Sequence, residues 1–323
     1  MVHTTSGITV LLWHVHGSWT TSFVQGRHRY LVPVLPGGGP WGRGRSGRDW
    51  PASVREVAAE RLRDTDVDVV VLQRPEELEL AEEWLGRRPG RDLPAIFVEH
   101  NAPREQAATT RHPLADRDDI PLVHVTHFNE LMWDNGRAAT TVVPHGIVDP
   151  GPRYTGELPH AAVLINEPVR RWRVTGTDLL PEFARVAPID VYGIGVNELN
   201  GRMDRVRGVA DLRQDELHRE VGRRRVYVHT ARWTSLGLSL LEAMHLGMPV
   251  VALGTTEAIR AVPEEAGAVS TDVTELTSAL RRFLNEPDLA SAAGKSAREF
   301  ALSNYGLDAF LHHWDDLLAE AAR

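Results

Sequence analysis

The stretch Val226–Leu253, VYVHTARWTSLGLSLLEAMHLGMPVVAL, carries the densest chemistry in the chain and reads as strand, loop, helix, tight turn and strand. Leu240, Ala243, Met244 and Gly247 recur at helical spacing and define one face, which puts Glu242 on another. Thr234, Ser235 and Gly237 sit just ahead of the helix, and Thr, Ser and Gly are small enough to leave its unbonded N–H groups approachable. The partial positive charge of a helix start favours a phosphate there. Glu242, about one turn in, has the chemistry to accept hydrogen bonds from the vicinal hydroxyls of a ribose. One helix then suits both a diphosphate and a ribose. The other reading of Glu242 is a solvated charge on an exposed helix face.

Two further groupings carry less. His14 and His16 lie two apart, which on a strand sets both on one face. A metal pair needs a third ligand, and none follows at interpretable spacing. Gly193-Ile194-Gly195 lacks the third glycine of a dinucleotide fingerprint, which argues against an oxidoreductase.

The elements that must position these groups alternate along the chain. The apolar run Ile8–Val15 is a strand that stops at His16-Gly17-Ser18, as an α/β unit begins. Residues Pro36–Pro51, PGGGPWGRGRSGRDWP, cannot hold a helix or a central strand and form a surface loop or a lid. A polar helix is expected around Val54–Arg63, then strand Val67–Leu72, helix Pro75–Leu85, and strands Ala95–Glu99, Leu122–Thr126 and Thr141–Val143. The Pro- and Gly-dense Pro144–Pro159 marks a domain boundary. Beyond it come strand Ala161–Ile165, helix Gly176–Arg185, strand Ile189–Tyr192, helix Gln214–Val221, strand Val226–His229, helix Ser239–Leu246, strand Pro249–Leu253 and helix Val273–Leu284. Apolar strands separated by helices indicate parallel sheets covered on both faces, each with a ligand crevice at the carboxyl ends of its strands. Asp308–Ala322 is a final amphipathic helix.

Composition bounds the function. A chain of 323 residues fits two domains of roughly 150 residues each. Hydrophobic residues at 42% and charged residues at 25% suit an ordinary globular protein. A formal charge of −8 argues against nucleic acid as a partner. The absence of cysteine excludes disulfides, thiol nucleophiles and iron–sulfur clusters. No run approaches the roughly 20 apolar residues of a membrane span, and the N-terminus reads as a strand rather than a signal peptide, so a cytoplasmic location is expected. Lys295 is the only lysine, so any cationic clamp must be built from arginine.

The segment Gly237-Leu238, Glu242-Ala243-Met244, Gly247 and Pro249-Val250-Val251 resembles the C-terminal signature of the retaining, glycogen-synthase-like (family 4-type) glycosyltransferases. The resemblance extends over Val142-Val143-Pro144-His145-Gly146-Ile147-Val148-Asp149, with His145 where the family has asparagine, and over Tyr305–Leu318. It implies an α/β chain of two facing Rossmann-like domains, the glycosyltransferase B fold. The expected domains are 1–150 on the acceptor side and 151–304 on the nucleotide-sugar donor side, with a helix at 305–323 crossing back to the first. Glu242 corresponds to the family's ribose-binding glutamate, and Thr234 stands where its other glutamate contacts the donor sugar. The family's diphosphate-gripping arginine and lysine fall on Pro168–Gly176. Thr175 occupies the lysine position, so Arg171 and Arg173 are assigned the clamp, and the planar fork of guanidinium suits two phosphate oxygens.

The same resemblance places His100, at the end of strand Ala95–Glu99, near the reacting sugar, and Gly17 in the loop facing the donor. With Thr234, Ser235, Leu236, Gly237, Leu238 and Glu242 these complete the expected donor site. Asp64-Thr65-Asp66 resembles the metal motif of the other major glycosyltransferase fold but precedes its strand, so no metal site is expected, and no cofactor beyond the nucleotide sugar as substrate. The implied reaction is metal-independent sugar transfer, with retention, to an acceptor glycan, lipid or small molecule. The rivals are an inactive sugar-nucleotide or glycan-binding relative and a sugar-nucleotide epimerase or hydrolase of the same fold.

Overall fold

The computed structural model describes residues 7–104 and 106–323, so the reading of the extreme N-terminus lies partly outside the described residues. Among the described residues the chain divides into two compact units. One runs to Val148 and takes in Leu307–Arg323, and the other is Asp149–Gly306.

The first unit contains β1 (Thr9–Leu12), α1 (Gly17–Phe23), β2 (Arg29–Val34), β3 (Val54–Ala58), β4 (Val69–Leu72), α2 (Glu77–Leu85), β5 (Ala95–Glu99), β6 (Leu122–His124), α3 (His127–Met132) and β7 (Thr140–Val142). Its sheet is parallel throughout, in the order β3-β2-β1-β4-β5-β6-β7. β1 and β4 are wholly apolar but for Thr9 and fully buried, as central strands covered on both faces must be. Their side chains pack with Phe97 of β5 and with Ala81 and Leu85 of α2.

The expected helix over Val54–Arg63 is not formed. Val54–Ala58 is the edge strand β3, paired with β2 from Tyr30↔Val54 to Val34↔Ala58, and only Ala59–Asp64 turns, as a short 3-10 helix. At an edge Arg55 and Glu56 stay exposed while Val54 is buried, so the mixed polarity that resembles a surface helix is equally that of an edge strand. β2, α1 and α3 were also not anticipated.

The second unit contains β8 (Leu158–Leu164), α4 (Leu180–Ala184), β9 (Ile189–Tyr192), β10 (Val206–Ala210), α5 (Gln214–Gly222), β11 (Arg224–His229), α6 (Leu238–Leu246), β12 (Val250–Leu253), α7 (Ala258–Ala261), β13 (Gly267–Ser270), α8 (Val273–Asn285) and α9 (Pro287–Asn304). Its strands, again parallel, run in the order β10-β9-β8-β11-β12-β13. Val163, Val191, Val228 and Val251 pack on Leu276, Leu280 and Phe283 of α8. The last helix, α10 (Leu307–Ala321), belongs to the first unit. Its Trp314 lies edge-on to Trp19 and Phe23 of α1, at 5.7 and 5.0 Å between ring centres, and Asp315 bonds His28 Nε2 at 3.0 Å.

Each sheet reverses its strand order once, between β1 and β4 in the first unit and between β8 and β11 in the second. Such a reversal splays the flanking loops apart and opens a crevice at the carboxyl ends of the strands. No helix among the described residues is long and apolar enough to cross a membrane.

Candidate functional site

In the second unit the loops after β8 and β11 are stitched together across the crevice. Thr230 Oγ1 donates to the Thr175 carbonyl at 2.7 Å and Arg232 N to the Val174 carbonyl at 2.9 Å, while within the loop after β8 Thr177 Oγ1 donates to the Pro168 carbonyl at 2.9 Å. Gly176 makes this possible. Its φ of +68° is left-handed, and a Cβ there would collide with the Thr230 carbonyl. Thr175 is buried and its hydroxyl pairs with Thr177 at 2.8 Å, so the position corresponding to the family's lysine is committed to the scaffold.

Of the two cations expected there, Arg171 and Arg173, the second shares one acid with Arg232. Arg173 Nη1 bonds Asp178 at 2.8 Å, and Arg232 bonds the same carboxylate at 2.9 Å while also donating to the Arg173 carbonyl at 3.0 Å. Burial disfavours the Asp178 charge, but Arg232 and Arg173 outweigh it and hold the carboxyl below its usual range. Arg171 is half-buried in the turn between Glu167 and Thr175. Arg232 was missed by sequence reasoning, since nothing in its spacing ties it to Arg173.

The loop Thr234, Ser235 and Leu236 leads into α6, with Ser235 and Leu236 buried and Thr234 half-buried. No side chain caps the start of α6 at Gly237-Leu238. Gly237 is required by close approach, because a Cβ would stand 2.6 Å from His229 Cε1. Burial pushes the His229 imidazole down to about 4, so it is a neutral wall beneath the helix start.

The solvated reading of Glu242 is overturned. Every residue from Leu240 to Leu246 is buried, and Glu242 is only 6% exposed, because α6 is enclosed by the sheet, α5 and α9. Its Oε1 accepts from Gln214 Nε2 at 2.9 Å, and its Oε2 stands 3.6 Å from His218 Nε2, both on α5. A buried carboxylate held from one side, about one turn below an uncapped helix start, keeps acceptor capacity for a ligand. Gln214 and His218, one turn apart on α5, were not singled out from sequence. At the far end of α6, Arg298 of α9 bonds Asp149 at 2.7 and 2.8 Å and donates to the His245 carbonyl, satisfying the helix C-terminus.

In the first unit three histidines follow three strands: His16 after β1, His100 after β5 and His145 after β7. The His16 and His100 rings lie 4.0 Å apart, and Trp19 meets His100 edge-on at 5.0 Å. Glu99 sets the turn that presents His100, accepting from Asn101 N at 2.6 Å and pairing with His112 at 3.2 Å. Burial pushes His16 down to about 4 and His145 to about 3, and holds His100 well below its ordinary value, so the cluster is neutral. His100 Nε2 and His145 Nδ1 are buried without a hydrogen-bond partner.

The expectation that His14 and His16 share a strand face is not met. β1 ends at Leu12, and beyond it His14 turns to the Gly44 carbonyl at 2.9 Å while His16 stacks on His100. Asp64 closes a 3-10 turn and Asp66 precedes β4, both at the amino end of the sheet. No group of three or more metal-ligating side chains occurs among the described residues. Gly17 opens α1 beneath the guanidinium of Arg48.

Residues 203–300, from just before β10 to late in α9, match the family described as Glycosyl transferases group 1. The similarity to group 1 glycosyl transferases lies in this segment of the second unit. The match contains Thr234, Ser235, Leu236, Gly237, Leu238 and Glu242, and leaves Gly17, His100, Arg171 and Arg173 outside it. No curated protein sequence matches this chain. Among solved structures, Alr3699/HepE of Anabaena, in complex with UDP-glucose, is 15% identical with a TM-score of 0.74, over 97% of this chain and 100% of that one. Sucrose-phosphate synthase of Thermosynechococcus elongatus is 14% identical with a TM-score of 0.71, over 97% and 98%. A mutant of TarM from S. aureus, in complex with Fondaparinux, alpha-GlcNAc-glycerol and UDP, is 15% identical with a TM-score of 0.64. That match covers 77% of this chain and 55% of TarM, so this chain spans about half of TarM's length. These likenesses establish the fold.

Proposed function

We propose that this protein transfers a sugar from a nucleotide-sugar donor to an acceptor, with retention of anomeric configuration and without a divalent metal. The observation that carries this reading is the buried Glu242 carboxylate beneath the uncapped start of α6, in the segment similar to group 1 glycosyl transferases. The helix start faces the diphosphate, and Glu242 accepts from the ribose hydroxyls. Arg171 and Arg173 hold the departing diphosphate, joined by Arg232, which with Arg173 sets two guanidiniums against the single Asp178 carboxylate. Charge placed in advance where it develops stabilises the leaving group without a metal. The acceptor lies in the first unit, where neutral His100 offers its unpartnered Nε2 to a sugar hydroxyl. Retention follows from attack on the face the diphosphate leaves, with a phosphate oxygen taking the acceptor's proton, so no protein nucleophile is needed.

A second reading is favoured by one observation. Thr234 stands where the resemblance calls for a donor-sugar glutamate, which fits a relative that binds the nucleotide sugar without transferring it. The two readings part in a thermal-shift panel of nucleoside diphosphates and nucleotide sugars, followed by turnover assays with the stabilising donor before and after exhaustive chelation. Turnover that survives chelation supports metal-independent transfer. Activity abolished by chelation and restored only by magnesium or manganese refutes the arginine clamp, and stabilisation without turnover supports the binding protein.

A further inference from the structure

The Pro36–Pro51 loop is fastened to the first unit. Arg45 donates to the Val54 carbonyl at 3.1 Å, its N–H bonds Glu56 at 2.8 Å, His14 Nδ1 holds the Gly44 carbonyl at 2.9 Å, and Trp50 Nε1 donates to Thr21 Oγ1 of α1 at 2.9 Å. So fastened, the loop lays Arg48 over the residue after His16, its Cζ 2.9 Å from where a Gly17 Cβ would be.

Two more arginines stand at the same strand ends. Arg74 comes two residues after β4, across the strand-order reversal from β1. Its guanidinium lies 3.9 Å above the Trp41 ring of the loop, and its Nε bonds Glu77 at 2.7 Å. Its Nη2 is buried with no hydrogen-bond partner. Arg104, exposed, follows His100 beyond β5. Arg74 and Arg104 both lie close enough to His16 to disfavour its charge, adding to the larger effect of burial. Beside them His100 and His145, 7% and 4% exposed, keep unpartnered ring nitrogens.

A chain with a net charge of −8 thus concentrates three guanidiniums at the one crevice of this sheet, against a wall of neutral imidazoles. Guanidinium forks match the oxygens of phosphate and carboxylate, and neutral imidazoles match hydroxyls. We propose that the acceptor carries an oxyanion, a phosphate or carboxylate next to a hydroxylated ring or chain, gripped by Arg48, Arg74 and Arg104 with its hydroxyls on His16 and His100. The assignment rests on the sugar-transfer reading for the word acceptor, but the anion site itself does not.

The test titrates the full chain calorimetrically with glucose, glucose 6-phosphate, glucuronate and inorganic phosphate, and repeats it on the double variant Arg48→Ala with Arg104→Ala. Arg74 is left in place because Glu77 depends on it. Glucose 6-phosphate or glucuronate should bind about tenfold or more tighter than glucose, and the double variant should lose about that factor, the scale of hydrogen bonds to charged groups. The double variant should remain folded, and its nucleoside diphosphate affinity should not change. The phosphate and carboxylate arms identify which oxyanion is preferred. Equal binding of glucose and its phosphate, or an unaltered anion affinity in the folded double variant, overturns the proposal. Parallel loss of nucleoside diphosphate binding reassigns these arginines to the donor and also overturns it. Anion binding in a protein that binds no nucleotide leaves the anion site standing and refutes the transfer reading instead.

Discussion

Acidification tests the histidine cluster of the first unit. In the folded chain burial pushes His16 to about 4 and His145 to about 3 and keeps His100 well below its ordinary value. Unfolded, each returns to about 6.5. The unfolded state therefore binds the extra protons, so the stability is whole above about pH 6.5 and falls as the pH drops toward the folded values. At about pH 5, about 1.5 units below the unfolded pKa, His16 and His145 are still neutral when folded, a loss of about 2 kcal/mol apiece, and His100 contributes in the same direction. His16 and His145 together cost about 4 kcal/mol, a large share of a typical domain's ~5–15 kcal/mol. His14, His28 and His124 of the same unit shift in the same direction. In the second unit His229, pushed to about 4, loses a similar ~2 kcal/mol, and His245 is also lowered.

The assay is urea unfolding of the wild type and His145→Asn between about pH 7.5 and about pH 5, a window in which Glu77, pushed up to about 7 by burial, titrates with the opposite sign but alike in both proteins. The wild type should lose several kcal/mol across that window, and His145→Asn about 2 kcal/mol less, whatever the variant costs at neutral pH. An identical pH slope in the folded variant would refute the buried, neutral assignment.

Two substitutions probe the second unit. Glu242→Ala should weaken nucleoside diphosphate binding by about 1.5–3 kcal/mol, the scale for hydrogen bonds to a charged group. Glu242→Gln, which keeps an acceptor for Gln214, should lose less, and calorimetric affinities unchanged in both would remove Glu242 from the site. Gly237→Ala should destabilise the protein by about 1–3 kcal/mol and lower diphosphate affinity, because the new Cβ meets His229 Cε1 at 2.6 Å. Truncating the neighbour in a Gly237→Ala, His229→Ala double variant should recover part of the affinity, and no recovery would mean that the contact does not set the helix start.

The central strands were legible because their residues leave no other choice. Ala95–Glu99 and Ile189–Tyr192 lie within the sheets, and both observed spans equal the expected ones. Of the edge strands β7 was legible, as Thr141–Val143, whereas β3 and β10 were not, since they carry Arg55, Glu56 and Arg207 on faces that water reaches, and the inner strand β2 was missed as well. In the second unit the helix start and Glu242 could be read from local order. The burial of Glu242 could not, because it comes from α5 and α9, and α9 was not foreseen. The Arg173–Asp178–Arg232 grouping and the His16–His100–His145 cluster join residues from separate loops, a relation that parallel topology creates and spacing does not encode.

The chain order of the first unit has a consequence for biosynthesis. Its aromatic closure, Trp314 against Trp19 and Phe23, is supplied by α10, while all of Asp149–Gly306 lies between. On the ribosome, residues synthesised first must wait for residues made after the whole of the second unit, so the later unit completes its own core sooner. Until then Trp19 and Phe23 of α1 lack the cover that α10 gives them and are more open to chaperones or to other nascent chains. A stop codon ahead of Phe310 would therefore do its damage at the opposite end of the chain, leaving a finished second unit attached to a first one that lacks its aromatic closure.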